Sequence, residues 1–468
     1  MAKVLLAVPP MEASTVTPPL GLGYLAAVLR QHHHGVLILH ADARLMGVRE
    51  FLKAVVSYAP DVLGMTVPTM AWPVVRQIVQ ALKADPKFRG SIVLGGSHPT
   101  ALPELTLRQS GADAIVRGEG ELVIPKLVEA LTNKAPLAGI KGVSWSENGQ
   151  VHNGEPEKLI NDLDSIPWPA WDLMPPANYP DAPHQLFSRR FPVAPVITSR
   201  GCPFGCSFCA SSGMWGRTWR RRDPKLVVDE IEHLVKRWGV REIHFEDDEF
   251  LGNEDRIVEL CDELVARKLD LVWALPNGVR TNAITDRAAA AMAKSGCYEV
   301  GLGIDAPWPH QQERVGKPRA PDAAKRAIEI VQRHNMEVRG YWILGFDVDT
   351  KQDVLRTIDL MLELPADFAA IGVPAPLPGS ADFKAFSKDL DLENFDWNEI
   401  SYFKAIDSPS LSKDERQALL RQAVLRFYLR PRQIAGLLKR LRLRQLPFVG
   451  LGMWRYLTGM LKFSDRDS

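Results

Sequence analysis

The chain has 468 residues, 46% hydrophobic and 24% charged, with a formal net charge of +1. That length predicts two or three domains, and the composition excludes a disordered, collagen-like or membrane-spanning chain. Five cysteines, three of them between Cys202 and Cys209, are no disulfide framework and point to the reducing cytoplasm.

Strand and helix alternate from the start. Residues 3–8 (KVLLAV) read as a buried parallel strand, in an opening too short and too lightly charged for a signal peptide. Residues 20–29 (LGLGYLAAVL) read as a helix packed closely through its glycines. Further strands are predicted at 36–39, 61–66, 91–94 and 114–116, with helices at 51–58, 74–84 and 123–131. The pattern predicts a doubly wound, Rossmann-like α/β domain over residues 1–135. Ligands of such sheets sit at the carboxyl ends of the strands. The residues there are Pro10, then Val67-Pro68-Thr69, Gly95-Gly96-Ser97-His98 and Gly118-Glu119. Small residues let the backbone approach a bulky ligand, although each loop alone is also an ordinary turn.

Residues 136–194 are rich in proline and read as a linker, with a hairpin-like run at 142–152 and a stiff aromatic connector at 166–172 (IPWPAWD). Strands predicted at 195–199, 242–245, 271–274, 299–303, 337–344 and 368–373 form βα units of a parallel, partial (β/α)6 barrel over 195–400. The loop Arg200-Gly-Cys-Pro-Phe-Gly-Cys-Ser-Phe-Cys209 follows its first strand with the spacing C-x3-C-x2-C. Soft thiolates favour an iron–sulfur cluster or zinc, but a tetrahedral zinc site needs a fourth ligand at similar spacing and none follows. The second strand runs into Glu246, Asp247, Asp248 and Glu249, either carboxylates for a cationic ligand or a solvated acidic loop. Arg217, Arg220 and Arg222 suit carboxylate recognition or surface charge before a helix at 224–238. Cys261 and Cys297 read as buried spectators. From Leu411 onward 13 Lys and Arg face 4 Asp and Glu, which marks 401–468 as a basic helical C-terminal domain. It reads as a peripheral membrane contact, a cover over an anionic substrate, or a packing domain with a solvated face. No stacking platform supports nucleic-acid binding.

The cysteine loop, with Phe208 before its last cysteine, resembles the cluster loop of the radical S-adenosylmethionine (SAM) enzymes. The PPLGLGYLAAVL helix, the GGSHPT loop and the GEGE loop at Gly118–Glu121, in that order before it, resemble the cobalamin-dependent members of that family over residues 1–400. The resemblance implies a [4Fe-4S] cluster on Cys202, Cys206 and Cys209. It implies SAM contacts at Phe208, Arg220, Glu246, Asp247, Asp248, Asn277, Arg280, Asp305 and Gly345. It implies cobalamin contacts at Pro10, Val67, Pro68, Thr69, Gly95, Gly96, Ser97, His98, Gly118 and Glu119. The D-x-H-x-x-G motif that supplies an axial histidine in other cobalamin proteins is absent. Asp42–Gly47, with Arg44 in the histidine's place and after the second strand, shares its frame by coincidence, so cobalt is expected without a protein histidine. His98 is an alternative ligand, a donor to the cofactor's polar edge, or structural. Relatives commonly show glutamate and serine where this chain has Asp305 and Ala306. The implied activity is methylation of an unactivated carbon through methylcobalamin and a 5′-deoxyadenosyl radical. A cyclase or oxidase without methyl transfer is the alternative, and a non-catalytic cobalamin or metal carrier a third reading. The implied partners are a small-molecule substrate and an electron donor of flavodoxin or ferredoxin type.

Overall fold

The computed structural model describes residues 1–11, 16–181, 188–320, 322–442 and 445; the last stretch of the basic tail lies outside the described residues. Two sheets carry the fold. The first holds β1 (Lys3–Val8), β2 (Gly35–His40), β3 (Val62–Thr66), β4 (Ser91–Gly95), β5 (Ala114–Val116), β6 (Val143–Glu147) and β7 (Gln150–Asn153) in the order β2-β1-β3-β4-β5-β6-β7. Pairing is parallel from β2 through β5, as the alternation of strands and helices predicts. The hairpin β6–β7, read from the sequence as part of a linker, instead adds antiparallel strands to β5. Val143, Ser144 and Trp145 are buried there, and the hairpin covers an edge that β5 would otherwise leave unpaired.

The chain then runs through two short strands, β8 (Val193–Val196) and β9 (Ser199–Arg200), and on to β10 (Arg220–Arg221), β11 (Glu242–Phe245), β12 (Val272–Arg280), β13 (Cys297–Asp305), β14 (Glu337–Ile343) and β15 (Phe368–Gly372). Six of these form a parallel sheet in the order β15-β14-β13-β12-β11-β8, an open barrel in chain order, while β9 and β10 pair as a separate ribbon. The strand β12 outruns its prediction because Pro276-Asn277-Gly278 looks like a strand end. In the fold it is an irregularity between Leu275 and Val279, after which pairing with β13 resumes.

One apolar core joins the two units. It runs from Val4, Leu6, Leu22 and Leu29 through Trp171 and Met174 to Val228, Ile231 and Leu260. The aromatic connector lies at the seam: the Ala170 N–H donates to the Gly23 carbonyl at 3.0 Å, and any side chain at Gly23 would meet Met174 and Pro169. The other face of the first sheet is covered by Phe51, Trp72, Ile78 and Leu105, together with Phe383, Trp397 and Ile400 from beyond the last barrel strand. Residues 380–400 thus return as a strap onto the first unit, fixed by Arg108 and Gln109 to Glu393. The helices Lys413–Tyr428 and Pro431–Arg440 pack on the barrel. The Tyr428 hydroxyl donates to the Ala369 carbonyl at 2.6 Å, and Arg426 and Arg440 pair with Asp359 and Glu337.

Candidate functional site

The cysteine loop is closed at its base by the β9–β10 ribbon, in which Arg200 sits opposite Arg220. Gly201 has φ +87, and a Cβ there would strike the Thr218 carbonyl, so the loop's first turn requires glycine. The Cys209 N–H donates to the Cys206 carbonyl at 3.1 Å, and the Ser207 N–H to the Val315 carbonyl at 3.0 Å. The three thiols are free and partly exposed, whereas Cys261 and Cys297 are buried. Burial pushes the Cys202 thiol up to about 11 and raises Cys209 as well, so a metal's positive charge is what would make them thiolates. Among the described residues no three Cys, His, Asp or Glu side chains converge on a single ion. A cubane makes no such demand, because each thiolate takes its own corner iron. The donor set fits a [4Fe-4S] cluster.

The acidic run divides. The Asp247 carboxylate is buried and accepts from the Thr198 N–H at 2.8 Å, the Thr198 hydroxyl at 2.6 Å and the Ser199 hydroxyl at 2.5 Å, so it braces the first strand. Three of its acceptor sites are thereby taken up within the protein. Asp248 is exposed, and the protein around its carboxyl pushes its pKa up. Glu246, two positions before it, is half-buried. The Asn277 amide donates to the Asp247 carbonyl at 3.3 Å. The Arg280 guanidinium lies 3.9 Å over the Phe204 ring, within the cysteine loop. Asp305 pairs with Lys317, whose ammonium also donates to the Gly303 carbonyl at 3.1 Å. Phe208 faces Phe346 at 6.4 Å, and Gly345, with φ +78, accepts from Arg416.

Three residues at this mouth escaped the sequence reading. Lys317 and Arg319 cap the end of β13, and Tyr402 stands by Cys209. The Tyr402 ring is 43% exposed although protein surrounds it, and burial pushes its phenol up to about 12. Its carbonyl accepts from the Val373 N–H at 2.9 Å, which ties it to the strand end. Nothing local in Ser-Tyr-Phe marks the position; only the return of the chain over the barrel does.

The loops at the carboxyl ends of β3, β4 and β5 lie side by side. The Val67 N–H donates to the Gly95 carbonyl at 2.7 Å and the His98 N–H to the Val67 carbonyl at 3.1 Å. Gly96 has φ +100, and a Cβ there would stand 3.0 Å from the Val67 nitrogen; beside Gly118, with φ +71, there is open space. Pro10 and Thr69 are buried behind this rim, and Pro68, Gly95, Gly96, Ser97 and Gly118 are half-buried along it. Such a glycine-built rim fits a bulky corrinoid. His98 does not belong to it. Its ring is fully buried, stacked on Trp72 at 4.9 Å and edge-on to Trp397 at 4.8 Å, where burial pushes its pKa down to about 3. It is a core ring held between the strap and the helix that begins at Trp72, the structural one of the alternatives the sequence left open rather than the cofactor donor.

Arg220 and Glu119, expected on opposite cofactors, bind each other instead. The Arg220 Nη1 donates to both Glu119 oxygens at 2.9 and 2.8 Å, and Arg200 reaches Glu119 at 2.8 Å and Glu121 at 2.6 Å. The rim also meets the cysteine loop through small residues. A Cβ on Gly213, in the helix Ser211–Trp215, would strike the Gly379 carbonyl, and one on Gly379 would lie 3.7 Å from Ala101 Cβ. The corrinoid rim and the cluster loop therefore abut.

Comparison with known proteins agrees with this geometry. The B12 binding domain model matches residues 11–128 and the Radical SAM superfamily model residues 196–361. An uncharacterized methyltransferase from Pyrococcus horikoshii is 34% identical over 443 residues, covering 92% of this chain and 93% of that protein. The anaerobic magnesium-protoporphyrin IX monomethyl ester cyclase of Rubrivivax gelatinosus is 29% identical, over 84% of this chain and 70% of its own. The fold matches that of the radical SAM methyltransferase TsrM from Kitasatospora setae, solved with cobalamin and a [4Fe-4S] cluster, with a TM-score of 0.70 at 18% identity over 90% of this chain and 89% of that one. With three thiols poised for a cubane, a corrinoid rim against them and a relative matched almost end to end, the chain belongs to the cobalamin-dependent radical SAM enzymes, whose cofactors are a [4Fe-4S] cluster, SAM and cobalamin.

Proposed function

We propose that this enzyme methylates an unactivated carbon of a small-molecule substrate. The observation that carries the reading is the abutment of the corrinoid rim and the cluster loop at Gly213, Gly379 and Ala101. When bound, the cluster and SAM supply a hydrogen-abstracting 5′-deoxyadenosyl radical, and cobalamin supplies a transferable methyl group.

The chain's own residues hold and orient. Cys202, Cys206 and Cys209 would hold the cluster. Exposed Asp248 offers a carboxylate to the cationic end of SAM, with half-buried Glu246 two positions before it. Arg280 and the Asp305–Lys317 pair order the adjoining strand ends. Tyr402 is held at the end of the last barrel strand through its carbonyl, which accepts from the Val373 N–H. Gly95, Gly96 and Gly118 leave room for the corrinoid. The electron donor in this reading is a flavodoxin or ferredoxin-type protein. Described cations of the C-terminal helices pair with the barrel, which favours a packing role over a membrane contact. Among the described residues no helix is long and apolar enough to cross a membrane.

Anaerobically reconstituted enzyme, given candidate metabolites, methyl-deuterated SAM and dithionite, is expected to yield both S-adenosylhomocysteine and 5′-deoxyadenosine, with label in the product. The cyclase from Rubrivivax gelatinosus among the relatives favours a second reading, cyclisation or oxidation, which gives 5′-deoxyadenosine without labelled product. Neither compound would mean a carrier.

A further inference from the structure

Glu119 has an unusual set of partners. It stands one residue beyond Gly118 on the corrinoid rim and is 6% exposed. Its carboxylate accepts from Arg200 and Arg220, which are the two stems of the cluster loop, and from the Ile160 N–H at 2.7 Å. Arg220 also donates to the Ile160 carbonyl at 2.6 Å. Glu121 takes the second prong of Arg200, so two buried acids meet two buried guanidiniums and the net charge is zero. Arg200 lies two residues before Cys202, and its guanidinium sits 5.2 Å from the Tyr24 ring, on the helix Leu20–Gln31 of the first unit.

The Arg200 guanidinium forks across two carboxylates, which fixes orientation as well as distance, while Arg220 holds Glu119 and the Ile160 carbonyl through Nη1 alone. A buried ion pair is weak evidence for stability and better understood as a device of register. We propose that Glu119, Arg200 and Arg220 are positioning residues that lock the corrinoid rim to both stems of the cluster loop and so set the placement of one cofactor against the other. This rests on the reading that the two loops carry cobalamin and the cluster. Radical capture demands alignment, because a misplacement of about 1 Å can cost a hundredfold in rate. Loosening the lock should therefore uncouple the two cofactors without removing either.

The test compares reconstituted wild-type enzyme with Glu119→Gln and Arg200→Lys. Glu119→Gln is expected to keep its iron and corrinoid. The broadening and splitting that cob(II)alamin and the reduced cluster impose on each other in electron paramagnetic resonance should shrink or vanish, and the ratio of S-adenosylhomocysteine to 5′-deoxyadenosine should shift about tenfold. Arg200→Lys keeps the charge but not the fork across Glu119 and Glu121, and should fall between. A purely structural role would lower all signals in proportion to folded protein and leave the ratio and the spin interaction unchanged, which overturns the proposal. Selective loss of corrinoid would also overturn it, since Glu119 would then be a cofactor contact. If Glu119→Gln does not fold, Glu121→Gln removes a single bond from Arg200 and is read the same way, with a smaller shift. Wild-type enzyme that takes up no corrinoid or no iron would refute the functional reading itself, a result visible before any variant is made.

Discussion

His98 illustrates how far a polar ring can be taken from water when two indoles enclose it. An unfolded histidine titrates near 6.5, whereas this one stays neutral down to about pH 3. The sign follows. Below about pH 6.5 the unfolded chain gains a proton that the native ring refuses, so stability falls as the pH drops toward 3. His40, lowered to about 4 by burial, adds a second loss in the same direction over a narrower window. Each contributes at most ~1.4 kcal/mol per pH unit. The melting temperature should fall from pH 6.5 to 4.5, and His98→Phe should flatten that fall; an unchanged slope would mean the ring reaches protons in the native state. Cys206→Ala is expected to abolish cluster iron and 5′-deoxyadenosine formation together, measured by iron assay and chromatography. The cysteines could be assigned from sequence because their spacing alone encodes convergence. The partner of Glu119 could not be. An acid beside a glycine can face a cofactor or an arginine, and Arg200 and Arg220 lie some eighty to a hundred positions away, where only the fold brings them back.

Among the elements, the helix Ser211–Trp215 depends on a missing side chain. Gly213 packs against the backbone of Gly379, which cannot step aside as a side chain would. Gly213→Ala should part the cluster loop from the backbone at Gly379 and reduce SAM cleavage by about tenfold or more with iron retained. A wild-type rate of 5′-deoxyadenosine release would show that the contact is dispensable. The strap makes a different prediction. Trp397 is 3% exposed against Phe383, Phe395 and His98, so Trp397→Ala should cost about 3–5 kcal/mol, read from denaturant midpoints. The first five strands could be read from their apolar runs, since a parallel strand covered on both faces has little else in it. The hairpin β6–β7 was visible as a hairpin but not as part of the sheet, because strand pairing is set by the neighbour that needs covering. The β12 irregularity hid behind a proline and a glycine that usually end a strand.

At the level of the whole molecule, the corrinoid unit and the barrel share one apolar core through Trp171 and Met174. Two units with separate cores would melt separately; a shared core predicts one calorimetric transition, and two resolved peaks would contradict it. The order of units was evident from alternating strands and helices, but their mutual placement was not, since the connector and the strap act between residues distant in sequence. The strap also constrains how such enzymes can be recombined. The surface over Trp72 and Leu105 is completed by a segment encoded after the barrel. A chimaera that splices this corrinoid unit to a foreign barrel at the connector inherits an unmatched lid for its own interior. Grafting would therefore require two crossover points, one near 160 and another bracketing 380–400, with the helix Pro103–Ser110 and its covering segment moved as a pair.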